Sequence, residues 1–129
     1  MISNQVLQNT LDGLKSISRT DFYITDMEGK VMASTFSENV CAQEEVLAFA
    51  NSQADSQVIK GYQFFKIYDD HQLEYVLVIN SAGDDVYTLG KLVVFQIQGL
   101  LTAYKERFNK DNFIKNLLLD NLLLVDIHN

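Results

Sequence analysis

The residues able to do chemistry are few in this chain. His71 lies in a charged stretch, His128 is next to last, and the one cysteine is Cys41. None of the three stands at a metal-site spacing from the others or from a carboxylate pair. The acidic doublets Asp69-Asp70 and Asp84-Asp85 fall among turn formers, where such doublets are ordinarily solvated. There is no glycine-rich phosphate loop and no nucleophile elbow. Cys41 opens an amphipathic stretch and reads as a small buried apolar residue. The expectation is a protein that is not an enzyme and that holds no metal and no cofactor.

A lysine among tyrosines offers more. In "YQFFKIY", a period of two puts Tyr62, Phe64, Lys66 and Tyr68 on one strand face and Gln63, Phe65 and Ile67 on the other. In "FYIT", Tyr23 and Thr25 likewise share a face. Tyr23, Thr25, Ser34, Lys66 and Tyr68 would give an apolar wall a few polar groups and one cation, the makings of a site for a small carboxylate. The same pattern fits a Lys66 that only snorkels at the sheet rim, with the tyrosine hydroxyls in water.

The elements that must position these residues follow from periodicity. Val6, Leu7, Leu11, Leu14 and Ile17 recur at helical spacing behind Ser3, a residue suited to cap a helix start. Phe22–Thr25 and Val31–Ser34 are β-prone runs around Asp26 and Gly29, which predicts a hairpin. "CAQEEVLAFAN" predicts a second helix with its acids early. "SQVIK", "YQFFKIY" and "LEYVLVIN" predict three more strands, the last of them central because it is apolar on both faces. A long helix should follow Asp84-Asp85 and run to the end. The expected fold is α+β, a five-stranded antiparallel sheet flanked by helices on a PAS/GAF/Cache-like sensor plan, with a long C-terminal helix. Roadblock/profilin-like domains share the same general plan.

The totals set limits. The 129 residues make one ordinary domain, and 47% hydrophobic with 21% charged residues is a globular composition. A net charge of −7 opposes nucleic-acid binding by this domain. A lone cysteine suits a reducing compartment. The first residues lack the cationic and apolar succession of a signal peptide, and there is no unbroken apolar run of membrane-spanning length. These features predict a cytoplasmic protein with no membrane partner.

The end of the chain is unusual. Val94, Ile97, Leu101, Tyr104 and Phe108 form one apolar stripe, which then restarts in another phase at Phe113. In "NLLLDNLLLVD" the apolar residues point almost all round a helix axis, so one sheet cannot bury them. A homodimer through Phe113, Leu117, Leu118, Leu122, Leu124 and Val125 would. Two regions are expected: 1–108 as a sensor-like α+β domain, and 109–129 as a leucine-rich connecting helix leading on to a further region.

The "ISNQ" opening, the "YITDMEGKVMAS" hairpin and the "DNFIKNLLLDNLLLVDI" helix together resemble the N-terminal region of bacterial sugar-diacid regulators, grouped with the purine-catabolism-type transcription regulators. The resemblance implies a sensor domain for a small effector, a carboxylate such as a sugar diacid. It also implies DNA binding through a helix-turn-helix beyond the residues present. The segment "NVCAQEEVLAFA" departs from that family in having neither the glycine nor the histidine expected there, so the resemblance carries the family and not its ligand. The leading expectation is therefore a ligand-sensing, dimerising regulator domain. The alternative is a roadblock/profilin-like protein-interaction module with no small-molecule site.

Overall fold

The computed structural model describes residues 2–38, 43–80 and 85–106. Helix α1 spans Asn4–Ser18, and the Ser3 hydroxyl accepts from the Val6 N–H at 3.2 Å, satisfying a donor that every helix start leaves free. It stops at Arg19, whose φ of 57° turns the chain left-handed while its N–H returns to the Lys15 carbonyl at 2.7 Å. Leu7 and Leu11 are buried, but Val6 and Ile17 are exposed. The last two lie roughly 80–100° round the axis from the Leu7–Leu11–Leu14 line, which is the line that meets the sheet.

Strands β1 (Phe22–Thr25) and β2 (Val31–Ser34) form the expected hairpin. The Asp26 carboxylate accepts from the N–H groups of Glu28 and Lys30, each at 2.9 Å, and Gly29 supplies the φ of 85°. Helix α2 covers Gln43–Ala50, with Glu44 and Glu45 in its first turn. Strands β3 (Ser56–Ile59), β4 (Tyr62–Asp69) and β5 (Gln72–Asn80) are joined by two tight turns. Both central residues of each have positive φ, Lys60 and Gly61 in the first and Asp70 and His71 in the second. Helix α3 spans Val86–Glu106.

The sheet is antiparallel throughout, in the order β2-β1-β5-β4-β3. One face carries Phe22, Ile24, Phe65, Ile67, Tyr75, Leu77 and Ile79 and is covered by α1 and α3. The other carries Tyr23, Phe64, Val76 and Val78 and is covered by Val46 and Phe49 of α2. The central strand β5 is therefore apolar on both sides because helices lie on both, as its sequence demands. Each large side chain so buried contributes roughly 1.5–3 kcal/mol.

Helix α3 packs through Val93, Val94, Ile97 and Leu101, whereas Tyr104, counted in the same stripe from its spacing, is exposed. The helix is long and apolar enough to cross a membrane by length and composition, although no uninterrupted apolar run was evident in the sequence. The sheet accounts for one side of that apolarity. Cys41, Phe113, Leu117, Leu118, Leu122, Leu124 and Val125, and with them the expected connecting helix at 109–129, lie outside the described residues.

Candidate functional site

The structure brings Tyr23 and Lys66 to the same sheet face, as alternation predicts, and then covers that face with α2. Tyr23 is 2% exposed, its ring packed edge-on to Phe36 at 5.8 Å. Lys66 is 7% exposed; its ammonium donates to the Ser52 carbonyl just past the end of α2 and stands 5.2 Å over the Phe49 ring. The position a carboxylate would take is thus held by a backbone carbonyl and an aromatic face. Thr25 is fully buried and donates its hydroxyl to the Asp26 carbonyl at 2.9 Å. The Ser34 hydroxyl accepts from the Phe36 N–H at 3.1 Å.

Tyr68 stands apart from these, half-buried at the far end of β4, and donates to the Asp55 carboxylate at 3.2 Å. Burial first, then the Asp55 charge and hydrogen bond, holds its phenol above the ordinary tyrosine value. Among the described residues, no buried side-chain nitrogen or oxygen lacks a hydrogen-bond partner. Nor does any group of three or more His, Cys, Asp or Glu among them stand where it could hold a metal ion.

The sheet edges are more informative. An edge strand presents a row of unpaired N–H and C=O groups that can accept another strand. On β2 the Gln8 side chain caps this row at Ser34. Its Oε1 accepts from the Ser34 N–H at 3.0 Å and its Nε2 donates to the Ser34 carbonyl at 2.8 Å, as a neighbouring strand would. Lys15 covers the next carbonyl, that of Thr35, at 3.4 Å and pairs with Asp21 at 2.7 Å. That hydrogen bond from Lys15 is the main reason the Asp21 carboxyl lies below the ordinary aspartate value; a Thr35 hydrogen bond and the Lys15 charge add to it, against some desolvation.

On the opposite edge, β3 is open. The Lys66 N–H donates to the Asp55 carbonyl at 3.0 Å, and antiparallel alternation from that pair turns the backbone groups of Ser56 and Val58 outward. Among the described residues no side chain closes that row, and Val58 is 58% exposed. Nothing in the sequence around Gln8 marks it as a strand cap, because its partner is 26 positions away. The β3 edge was legible only as a short strand ending at a glycine.

The chain is similar in fold to Myxococcus xanthus MglB. The two superpose with a TM-score of 0.55 at 12% identity, over 80% of this chain and 94% of that one. This is a roadblock/profilin-like fold. No protein-family model and no curated protein matches the sequence.

The likeness overturns the resemblance to sugar-diacid regulators, and with it the sensor-domain and transcription-regulator expectations. The physical reason is that an Asp-x-x-Gly hairpin is generic turn chemistry, which unrelated folds use where two short strands reverse. The leucine-rich helix, the most distinctive part of that resemblance, lies outside the described residues.

Proposed function

We propose that this chain is a protein-interaction module without a small-molecule site and without catalysis, which pairs by strand addition at its β3 edge, with a second copy of itself as the partner. The observation that carries the reading is the asymmetry of the sheet: Gln8 caps the β2 edge at Ser34, whereas among the described residues no side chain caps β3. Natural sheets close the edges they must protect from other chains, and an edge left unprotected is the one available for pairing. The roadblock/profilin-like fold supports the same reading, and the filled face beneath α2 agrees with it. Protein partners replace the small effector and the DNA expected from the sequence.

Val58→Pro tests this. The Val58 N–H points away from β4, so proline removes no hydrogen bond inside the sheet but blocks an incoming strand. Val58→Lys, which places a solvated charge on the edge, is the second variant. Sedimentation velocity should show self-association of the 14.7 kDa chain that both variants weaken, with unchanged circular dichroism. Association left unchanged in strength by both variants would refute pairing at this edge.

A further inference from the structure

Helix α3 meets the sheet with Val93, Val94, Ile97 and Leu101, and its other side faces away from the body. On that side Phe95 is 76% exposed and Leu92 61%. At about 100° per residue, Leu92, Phe95, Gly99, Thr102, Ala103 and Glu106 share one outward stripe, with Lys91 along its margin. The stripe is hollow beyond Phe95. Phe95, Gln98, Gly99, Thr102, Ala103 and Glu106 line an open groove, and nothing lies within 4 Å of where a Gly99 Cβ would stand. A bulky ring in water thus sits one turn from a notch made by glycine, threonine and alanine.

We infer that this face packs against the same face of a second copy, with the two α3 helices antiparallel about a two-fold axis between Gln98 and Gly99. That register sets Phe95 of each chain opposite Thr102 of the other, so the ring enters the groove floored by Gly99 and Ala103. The same register sets Lys91 opposite Glu106, twice by symmetry. Ring against notch and cation against anion are therefore satisfied together. A parallel pair would oppose ring to ring, Lys91 to Lys91 and Glu106 to Glu106.

This self-complementarity argues for a second copy as the occupant rather than a lipid surface or an unrelated protein. The small residues let the axes approach to the close end of the 8–10 Å range for packed helices. The inference rests on the interaction-module reading and extends it to a second face, separate from β3. A chain with two such two-fold faces assembles beyond the dimer.

The experiment uses the 129-residue chain carrying Val58→Lys, which removes pairing at β3, and reads association at α3 from substitutions on that face. Sedimentation at about 100 µM, suited to one helix pair smaller than a standard interface, should show dimers. Gly99→Gln puts a side chain into the groove from a position where a Cβ meets nothing within 4 Å, and it favours helix, so the melting temperature should hold or rise while the dissociation constant increases about a hundredfold. Lys91→Glu and Glu106→Lys should each weaken the dimer about tenfold, and the double swap should restore it.

A monomeric Val58→Lys chain, an unaffected Gly99→Gln variant, or a double swap without rescue would overturn the antiparallel pair. If Val58→Lys leaves the association of the chain unchanged and Gly99→Gln alone removes it, the β3 reading fails and this one stands. The reverse result removes this interface and keeps β3.

Discussion

Gly90→Ala should destabilise this protein, although alanine in a helix interior ordinarily gains about 0.5–1 kcal/mol over glycine. The reason is the crossing of α3 over β4. Phe65 is 1% exposed, its ring 5.7 Å from that of Tyr87, and Gly90 lies directly over it. A Cβ at Gly90 would overlap ring carbons Cε2 and Cζ and come within 2.9 Å of Cδ2. A ring buried on all sides cannot swing away without displacing its neighbours, so either the helix lifts or the ring leaves its rotamer. Overpacking of this kind costs about 1–3 kcal/mol.

Gly99 on the same helix is the control, because its Cβ would meet nothing within 4 Å. Comparing the two alanine variants cancels the propensity gain and leaves the packing cost, a difference of about 1–3 kcal/mol. For a chain of this length that is roughly 3–6 °C of melting temperature per kcal/mol. Urea unfolding followed by circular dichroism should show the midpoint of Gly90→Ala falling below wild type and that of Gly99→Ala rising above it, with equal slopes. Phe65→Leu should relieve Gly90→Ala by more than about 0.5 kcal/mol in a double-mutant cycle. Equal stability of the two alanine variants would refute the packing of α3 on Phe65.

Gln8→Ala should cost about 1–2 kcal/mol for its two lost hydrogen bonds and speed hydrogen exchange at the Ser34 amide, whereas Gln8→Glu, which can accept there but not donate, should fall between. Unchanged exchange at Ser34 would remove the edge-cap role. Lys66→Ala should lower stability by about 2 kcal/mol through the lost stem packing and the lost Ser52 hydrogen bond, and Lys66→Met should recover the packing part. An alanine variant as stable as wild type would show that Lys66 does not brace α2. The Asp21 carboxyl is held below its ordinary value chiefly by the Lys15 hydrogen bond, so its contribution is present above the unfolded value and lost as pH falls through the folded one. The stability gap between wild type and Asp21→Asn should therefore close below about pH 4, and it should be modest throughout because the side chain is 36% exposed.

Much of the architecture was legible in local chemistry. Ser3 as a helix cap, Asp26 and Gly29 as a turn, and alternation along Tyr62–Asp69 are decided by residues within a few positions of one another. The apolar character of β5 on both faces even placed it at the centre of the sheet. What lay beyond reach was every choice between partners distant in the chain. Alternation put Lys66 and Tyr23 on one face, but only the packing of α2 determined that Phe49 and the Ser52 carbonyl would meet Lys66 there.

Gln8 became a strand cap because α1 happens to cross β2, and Gly90 became irreplaceable because α3 crosses Phe65. The long helix showed its buried stripe in the sequence, yet which of its remaining apolar residues stand in solvent depended on the width of the sheet beneath it. The Asp-x-x-Gly turn that helped to suggest a regulator family is one that many folds use, so it recurs without kinship. Short-range patterns determine elements because their energies are local. Sites and surfaces are made where elements meet, and those meetings are set by the summed packing of the whole chain.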